Sequence, residues 1–173
     1  MTYGCKNKKR ITIISAYRTC IPNDNQCVST EHSQQWDILE GRQQEHENIR
    51  DKMIRDLINF INFLSACSRE IIGSIDTNKA FIPGKSGTAK LVELTNLTDP
   101  LINKVCIEGE PPTHQRGLYR IDFLLSSPGI EKNIFRIGIL PIHEISPSNC
   151  RGFIQNVHLQ VFLKDLDNIP NSH

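Results

Sequence analysis

Apolar and polar positions follow two different periods along this 173-residue chain. Residues 10–18 are rich in β-branched side chains and apolar at nearly every step, which predicts a strand covered on both faces. Over 44–67, apolar residues recur every three or four positions with charged and amide residues between them, which predicts an amphipathic helix. A short apolar run over 70–75 predicts a second strand. Strand, helix and strand in this order predict a right-handed crossover on one sheet.

The remainder of the chain predicts shorter elements. Residues 82–87 have the composition of a loop, and the segment 88–96 predicts a short helix. Apolar alternation returns over 118–126 and again over 152–164, which predicts antiparallel strands in the second half. The predicted fold class is therefore α/β, with a mixed and largely antiparallel sheet.

Composition narrows the class of protein further. Twenty basic and nineteen acidic residues give a net charge of +1, so no overall field favours nucleic acid, a membrane or acidic partners. There is no run of about 18 apolar residues and no apolar stretch near Met1, which predicts a cytoplasmic or nuclear protein without a membrane partner. Six cysteines stand without any Cys-x-x-Cys pair, which favours free thiols over a structural zinc site.

Polar residues directly after the second predicted strand form the first candidate site. Asp76 and Asn78 stand two positions apart at the strand end, where open α/β sheets bind ligands. A carboxylate there can accept a proton or orient water, and a carboxamide can donate to a phosphate oxygen. Because Asp and Asn are also ordinary turn residues, the spacing alone leaves both interpretations open.

Several segments carry, by their order, a resemblance to a known superfamily. The segments are 13–18, the helix over 44–67, 71–78, 113–117, 120–126 and 148–152. Over about residues 10–163 this order resembles the C-terminal half of the endonuclease/exonuclease/phosphatase superfamily, and most of all the endonuclease-type domains of mobile elements such as retrotransposons, where they accompany a reverse transcriptase. The resemblance implies a partial four-layer α/β sandwich, about half of the two-sheet domain, with residues 1–173 as one partial domain.

The resemblance also implies roles for particular residues. Asp76 would position or activate the attacking water, Asn78 would bind the scissile phosphate, and Asp122 would orient the catalytic histidine of the closing motif. Where such domains carry Ser-Asp-His-Arg, this chain has Asn149 and Cys150 at the two central positions. The closing motif is therefore degenerate and lacks its reactive groups.

Magnesium is the cofactor that the resemblance implies. In the superfamily the first half of the domain supplies an Asn and a Glu for the metal. This sequence has only nine residues ahead of its first predicted strand and no candidate for the Glu. Since Mg²⁺ is usually held by one or two carboxylates together with substrate oxygens, we expect weak or absent binding and assign no metal ligand. A positioned acid or base contributes about 10²–10⁴ in rate. Metal stabilisation of phosphoryl charge lowers the barrier by several kcal/mol in addition. We therefore expect impaired catalysis.

Three interpretations follow. The first is a Mg²⁺-dependent phosphodiesterase or endonuclease that is active only with a missing N-terminal half. The second is a non-catalytic nucleic-acid-binding or interaction remnant of a mobile-element nuclease, with Arg116, Arg120 and Arg151 as the contact residues; the same arginines also fit a solvated face. The third is that the sequence is part of a longer protein. Half a sandwich should also expose apolar residues of the 10–18 strand and lead to self-association.

Overall fold

The computed structural model describes residues 2–4, 10–19, 31–41, 48–101, 112–115, 117–141 and 151–158. The strands in these ranges are β1 (Thr2–Gly4), β2 (Arg10–Tyr17), β3 (Arg69–Asp76), β4 (Asp122–Ser126), β5 (Ile134–Ile139) and β6 (Phe153–Val157). The helices are α1 (Glu31–Gly41), α2 (Ile49–Ala66), α3 (Gly87–Thr95) and α4 (Pro128–Glu131). No helix in these ranges is long and apolar enough to cross a membrane.

A four-stranded sheet in the order β1-β2-β3-β4 positions the rest of the molecule. Strands β2 and β3 are parallel, with Arg10 opposite Arg69 and Tyr17 opposite Asp76. Strands β1 and β4 pair antiparallel on the two outer sides, and β5 pairs antiparallel with β6 in a separate sheet. The predicted connection of two parallel strands through a helix is confirmed. The α/β class with mostly antiparallel pairing is also confirmed, and the arrangement is consistent with a partial α/β sandwich.

Helix α2 covers one face of this sheet because its apolar residues lie on one side. These residues pack in one cluster with strand residues: Ile54, Leu57, Ile58, Ile61 and Leu64 from the helix, and Ile71, Ile75, Phe123 and Leu125 from the strands. Asn48 caps the helix, since its side-chain oxygen accepts the Arg50 N–H at 3.0 Å. The helix therefore begins at Ile49, later than the predicted start at 44.

Helix α3 confirms the short helix predicted over 88–96, displaced by one residue. Ser86 is its N-cap, and the Ser86 hydroxyl accepts the Ala89 N–H at 3.1 Å. Asn96 ends the helix in the left-handed conformation with φ 55°. Leu91 packs into the same cluster as α2, so both helices cover the same face.

The opposite face of the four-stranded sheet is covered only in part. Ile11 of β2 packs with Ile130 of α4 and Ile134 of β5 in a second cluster. Further along β2, Ile13 is 45% exposed and Tyr17 is 50% exposed. The prediction that this strand is covered on both faces is therefore wrong, because β5 and α4 reach only its beginning. The predicted exposure of apolar residues from the 10–18 strand is confirmed.

Other differences from the sequence-based predictions lie at strand ends and in polar segments. The strand predicted over 118–126 begins at Asp122, because a side chain and not a neighbouring strand binds the N–H groups at its start. The strand predicted over 152–164 is β6, which is five residues long, and residues 159–164 lie outside the described ranges. Strands β1 and β5 and helices α1 and α4 were not predicted from the sequence. The α1 sequence is polar and has no clear apolar stripe.

Candidate functional site

Strand register forms a row of three side chains at one edge of the four-stranded sheet. Asp76 of β3 and Asp122 of β4 are direct cross-strand partners, and residues so paired point to the same face with Cβ atoms about 5 Å apart. Tyr17 of β2 is the partner of Asp76 on the other side. Asp76 and Asp122, which the sequence analysis assigned to one site from separate segments, therefore lie side by side. Tyr17 is an addition to the predicted site, and its place there follows from the parallel register of β2 with β3.

Burial dominates the electrostatics of the two carboxyl groups. Burial raises the pKa of Asp76, while the Asn78 N–H and the charge of His114 lower it by less. Burial also raises the pKa of Asp122, and the charge of Asp76 reinforces this. The hydrogen bond from the Thr113 hydroxyl and the charges of His114 and Arg120 lower the Asp122 pKa by less. Both groups therefore keep a proton to higher pH than a free aspartate. Carboxyl groups shifted in this direction are suited to proton transfer closer to neutral pH.

Asn78 lies in a tight turn that holds its backbone N–H against Asp76 and its side chain against the end of β2. The Asn78 backbone is left-handed, with φ 47°, a conformation that Asn adopts more readily than most residues. Its N–H donates to Asp76 Oδ1 at 2.9 Å. Its side-chain Nδ2 donates to the Arg18 carbonyl at 2.6 Å. The Asp76 carboxylate is thus bonded to the Asn78 backbone, and the Asn78 carboxamide is fixed to the end of β2.

Thr113 attaches a separate segment of the chain to this edge. The buried Thr113 hydroxyl accepts the N–H of Ile121 at 3.0 Å and the N–H of Asp122 at 3.2 Å. The Thr113 carbonyl accepts the Arg151 N–H at 2.7 Å. Residues 112–115 therefore lie against the start of β4, and Arg151 is held next to them. Thr113 belongs to the segment 113–117, which carries part of the resemblance. Its hydrogen bonds to the start of β4 could not be predicted, because they join segments that no local pattern links.

One oxygen of Asp122 is buried at this site without a hydrogen-bond partner in the described ranges, namely Oδ2. The resemblance implies that the partner of this carboxylate is a histidine, and the chain has Cys150 there; Asn149 and Cys150 lie outside the described residues. His114, which follows Thr113, lies close enough to both carboxylates to influence their pKa values. It is a site residue that the sequence analysis did not single out.

The arginines predicted to contact nucleic acid do not form an exposed cluster in the described ranges. Arg120 is 3% exposed; its guanidinium forms an ion pair with the buried Asp99 and lies 4.6 Å from the centre of the Phe123 ring. The role predicted for Arg120 is therefore corrected to a structural one, because a buried charge needs a buried partner and this partner holds it inside the protein. Arg151 is half-buried, and Arg116 lies outside the described residues.

The described residues do not by themselves fit a divalent-cation site. Within the described ranges, no three His, Cys, Asp or Glu side chains form a group that could hold a metal ion. Asp76 and Asp122 provide two carboxylates, but burial favours their protonated forms, and Asp76 Oδ1 already accepts the Asn78 N–H. The Mg²⁺ that the resemblance implies would need further oxygen ligands from outside this group.

Known proteins match this chain in structure and not in sequence. No protein-family model matches it, and no curated protein sequence matches it. Among the solved structures that match is the 3′ phosphatase NExo from Neisseria, bound to product DNA hairpin. The match has 15% identity and a TM-score of 0.47. It covers 62% of this chain and 52% of that one, so this chain spans about half the length of that structure.

Proposed function

We propose that this chain is the C-terminal half of a phosphodiesterase or endonuclease domain of the endonuclease/exonuclease/phosphatase superfamily, with a phosphoester-binding edge that is catalytically impaired on its own. The observation that carries the proposal is the pairing of Asp76 with Asp122 across β3 and β4, with Asn78 hydrogen-bonded to Asp76. The order of the segments over residues 10–163 supports the same superfamily.

The three residues have different roles in this proposal. Asp76, whose pKa is raised by burial, orients a water molecule and accepts its proton. The Asn78 carboxamide nitrogen carries two hydrogens, of which one is donated to the Arg18 carbonyl, and the second is directed to a phosphate oxygen. Asp122 is the carboxylate beside which an imidazole would be oriented. Because β3 and β4 belong to a sheet covered by helices, these groups are held in place before a substrate binds.

Impairment follows from the two substitutions in the closing motif. At Cys150 a thiol replaces an imidazole, and a thiol is a weak hydrogen-bond donor and acceptor. At Asn149 a neutral amide replaces a carboxylate, which reduces the attraction for a cation. Loss of a positioned acid or base lowers the rate by about 10²–10⁴. We therefore expect Mg²⁺ to bind weakly or not at all and the chain to need a complementary N-terminal half for cleavage.

Oligonucleotide binding and plasmid nicking test the two parts of this proposal. The purified chain should bind fluorescent single-stranded DNA or RNA with an affinity that falls as salt rises, and Asn78→Ala should weaken this binding several-fold. Asn59→Ala, on the exposed side of α2, is the matched control and should leave binding unchanged.

Plasmid nicking tests the impairment. With Mg²⁺ or Mn²⁺ the wild-type chain should not nick plasmid. Asn149→Asp combined with Cys150→His should restore nicking only when a superfamily N-terminal half is added.

Contrary results would remove different parts of the proposal. Metal-dependent nicking by the wild-type chain that disappears in Asp76→Ala would establish a complete enzyme and overturn the impairment. Absence of oligonucleotide binding, or binding that Asn78→Ala leaves unchanged, would remove the phosphoester-binding edge.

The second candidate function is a non-catalytic nucleic-acid-binding remnant of a mobile-element nuclease. Binding without cleavage in every variant, including the complemented double reversion, would favour it. The burial of Arg120 against Asp99 weakens this alternative, because it removes one of the three arginines on which that interpretation depends.

A further inference from the structure

Two arginines converge on the turn that carries Asn78. Arg50, in the first turn of α2, donates from Nη2 to the Thr77 carbonyl at 3.4 Å and to the Asn78 carbonyl at 3.3 Å. Arg18, directly after β2, donates from Nη1 to the same Thr77 carbonyl at 3.4 Å. The two arginines are also linked to each other, since Arg18 Nε donates to the Arg50 carbonyl at 3.3 Å. The turn is therefore connected both to the end of β2 and to the start of α2.

This arrangement is electrostatically unfavourable by itself. Burial and the neighbouring charge of Arg50 lower the pKa of Arg18, while the carboxylate of Asp51, at 3.5 Å and largely exposed, acts against this. Arg50 Nε is buried and has no hydrogen-bond partner in the described part of the chain. Like charges in contact and an unsatisfied buried donor both oppose folding. The proximity of two arginines and the unsatisfied Arg50 Nε therefore need to be offset by another interaction at this position.

The left-handed turn at Asn78 is the structure that the two arginines stabilise. A non-glycine residue in the left-handed region costs about 1–2 kcal/mol, and Asn78 has φ 47°. The guanidinium of Arg50 offsets part of this cost, because its positive charge lies 3.4 Å from the Thr77 carbonyl and 3.3 Å from the Asn78 carbonyl and is attracted to both oxygens. The Asn78 side chain is fixed as well, through its bond to the Arg18 carbonyl. Backbone strain of this kind concentrates at functional sites.

We propose that Arg50, together with Arg18, is a positioning residue for Asn78, and that it fixes the turn so that the Asn78 carboxamide, held at the Arg18 carbonyl, presents its second hydrogen to a phosphate oxygen. The phosphate in this inference rests on the proposed function, whereas the link from Arg50 to Asn78 rests on the contacts alone. Since Arg50 belongs to the helix that covers the other face of the sheet, the packing of α2 and the geometry of the site are coupled through one side chain.

Nuclear magnetic resonance and binding measurements on the full chain test this inference. The backbone and side-chain amide resonances of Asn78 would be recorded in wild type, Arg50→Gln and Arg50→Lys. Arg55→Gln, an exposed arginine in the same helix, is the matched control. We expect Arg50→Gln to move both Asn78 resonances and to weaken binding of a fluorescent single-stranded oligonucleotide about tenfold, the size of one lost charge-assisted hydrogen bond. Arg50→Lys keeps a charged donor and should give an intermediate loss, and Arg55→Gln should change neither measurement.

Each outcome decides for or against the inference. Asn78 resonances in Arg50→Gln that coincide with those of wild type overturn it. Displaced resonances with unchanged affinity also overturn it, because the arginine would then support the turn without affecting recognition. If Arg50→Gln does not fold, the intermediate loss in Arg50→Lys carries the test. A wild-type chain that binds no oligonucleotide counts against the proposed function, and displaced Asn78 resonances then still support the positioning of the turn by Arg50.

Discussion

The two faces of the four-stranded sheet differ in how completely they are covered. On one face α2 and α3 exclude water from strand residues such as Ile71, Ile75 and Leu125. On the other face α4 and β5 cover β2 only near Ile11, and the far end around Tyr17 stays open. The difference shows how one small sheet combines a packed core with an accessible polar edge. The helices pack against one face of the strands, and the candidate site residues Asp76 and Asp122 lie on the other.

The buried charges of the two regions differ in the same way. Arg120 and Asp99 form a buried pair of opposite charges beside Phe123, which belongs to the covered face. At the open edge, Asp76 and Asp122 are like charges paired across two strands, and burial raises the pKa of both. Opposite charges in contact stabilise a local structure, whereas adjacent carboxyl groups favour proton retention. The first pair is therefore suited to holding the fold and the second to proton transfer.

Breaking the ion pair beside the covered face should cause the largest loss of stability. Asp99→Asn removes the charge but keeps the side-chain oxygen that accepts the Leu101 N–H at 3.0 Å. Arg120 then stays buried without its carboxylate, and we expect the free energy of unfolding in urea to fall by about 3–5 kcal/mol. Adding Arg120→Met to this variant should recover most of the loss, because no charge is left buried. A single-variant loss no larger than that of a surface ion pair, below about 1 kcal/mol, would contradict a structural role for the pair.

A matched pair of isoleucines compares the two faces directly. Ile71→Ala empties a fully buried position on the covered face, and we expect it to lower the free energy of unfolding by about 2–5 kcal/mol. Ile13→Ala makes the same change on the neighbouring strand at a position that is 45% exposed, and we expect a loss below about 1 kcal/mol. Equal losses in urea denaturation would mean that the open face is covered in solution.

The elements with local periodicity could be predicted from the sequence, and those defined by contacts between distant segments could not. Helix α2 and strand β3 were predictable because their apolar spacing reports directly on the covered face. The exposure of β2 was not, because apolar residues at every step say nothing about how far β5 and α4 extend over the strand. Helix α1 could not be predicted either, because its sequence is polar and has no apolar residues at helical spacing along one side.

Some residues of the candidate site could be predicted from the sequence and others could not. Asp76 and Asn78 could be predicted because they stand at the end of a strand. Asp122 could be predicted because the order of segments resembles a known superfamily. Tyr17 enters the site only through the parallel register of β2 with β3. Arg50 enters through hydrogen bonds that span 27 and 28 residues of sequence. Such contacts depend on how elements pack, and a single sequence contains no period or motif that reports them.

Asp122→Asn should produce a smaller change in stability that depends on pH. Burial raises the Asp122 pKa in the folded chain above the ordinary value of 3.8, so the folded state binds this proton more tightly than the unfolded state. The contribution of this group to stability therefore falls as pH rises from 3.8 through the raised pKa. Asn does not ionise, so the variant should gain stability over wild type across that window.

Urea denaturation of wild type and Asp122→Asn between pH 3 and pH 8 measures this difference. A difference in unfolding free energy that is constant with pH would mean that Asp122 is as well solvated as a free aspartate. A difference that runs the other way, with wild type gaining on the variant as pH rises, would mean that a cation stabilises the ionised form at this edge.

The smallest change in stability is expected on the open face, where the effect of substitution should instead be on association. Exposed apolar patches larger than a few hundred Å² are uncommon on monomers, so the side chains around Ile13 and Tyr17 predict that the wild-type chain self-associates. Ile13→Lys should reduce association in sedimentation velocity and reduce binding of a hydrophobic dye. Because the side chain is 45% exposed, the free energy of unfolding should change by no more than about 0.5 kcal/mol. Phe63→Lys, at an exposed position of α2, should leave association unchanged. Equal effects of both variants would mean that association is not specific to the open face. A wild-type chain that sediments as a monomer without binding dye would mean that the open face is covered.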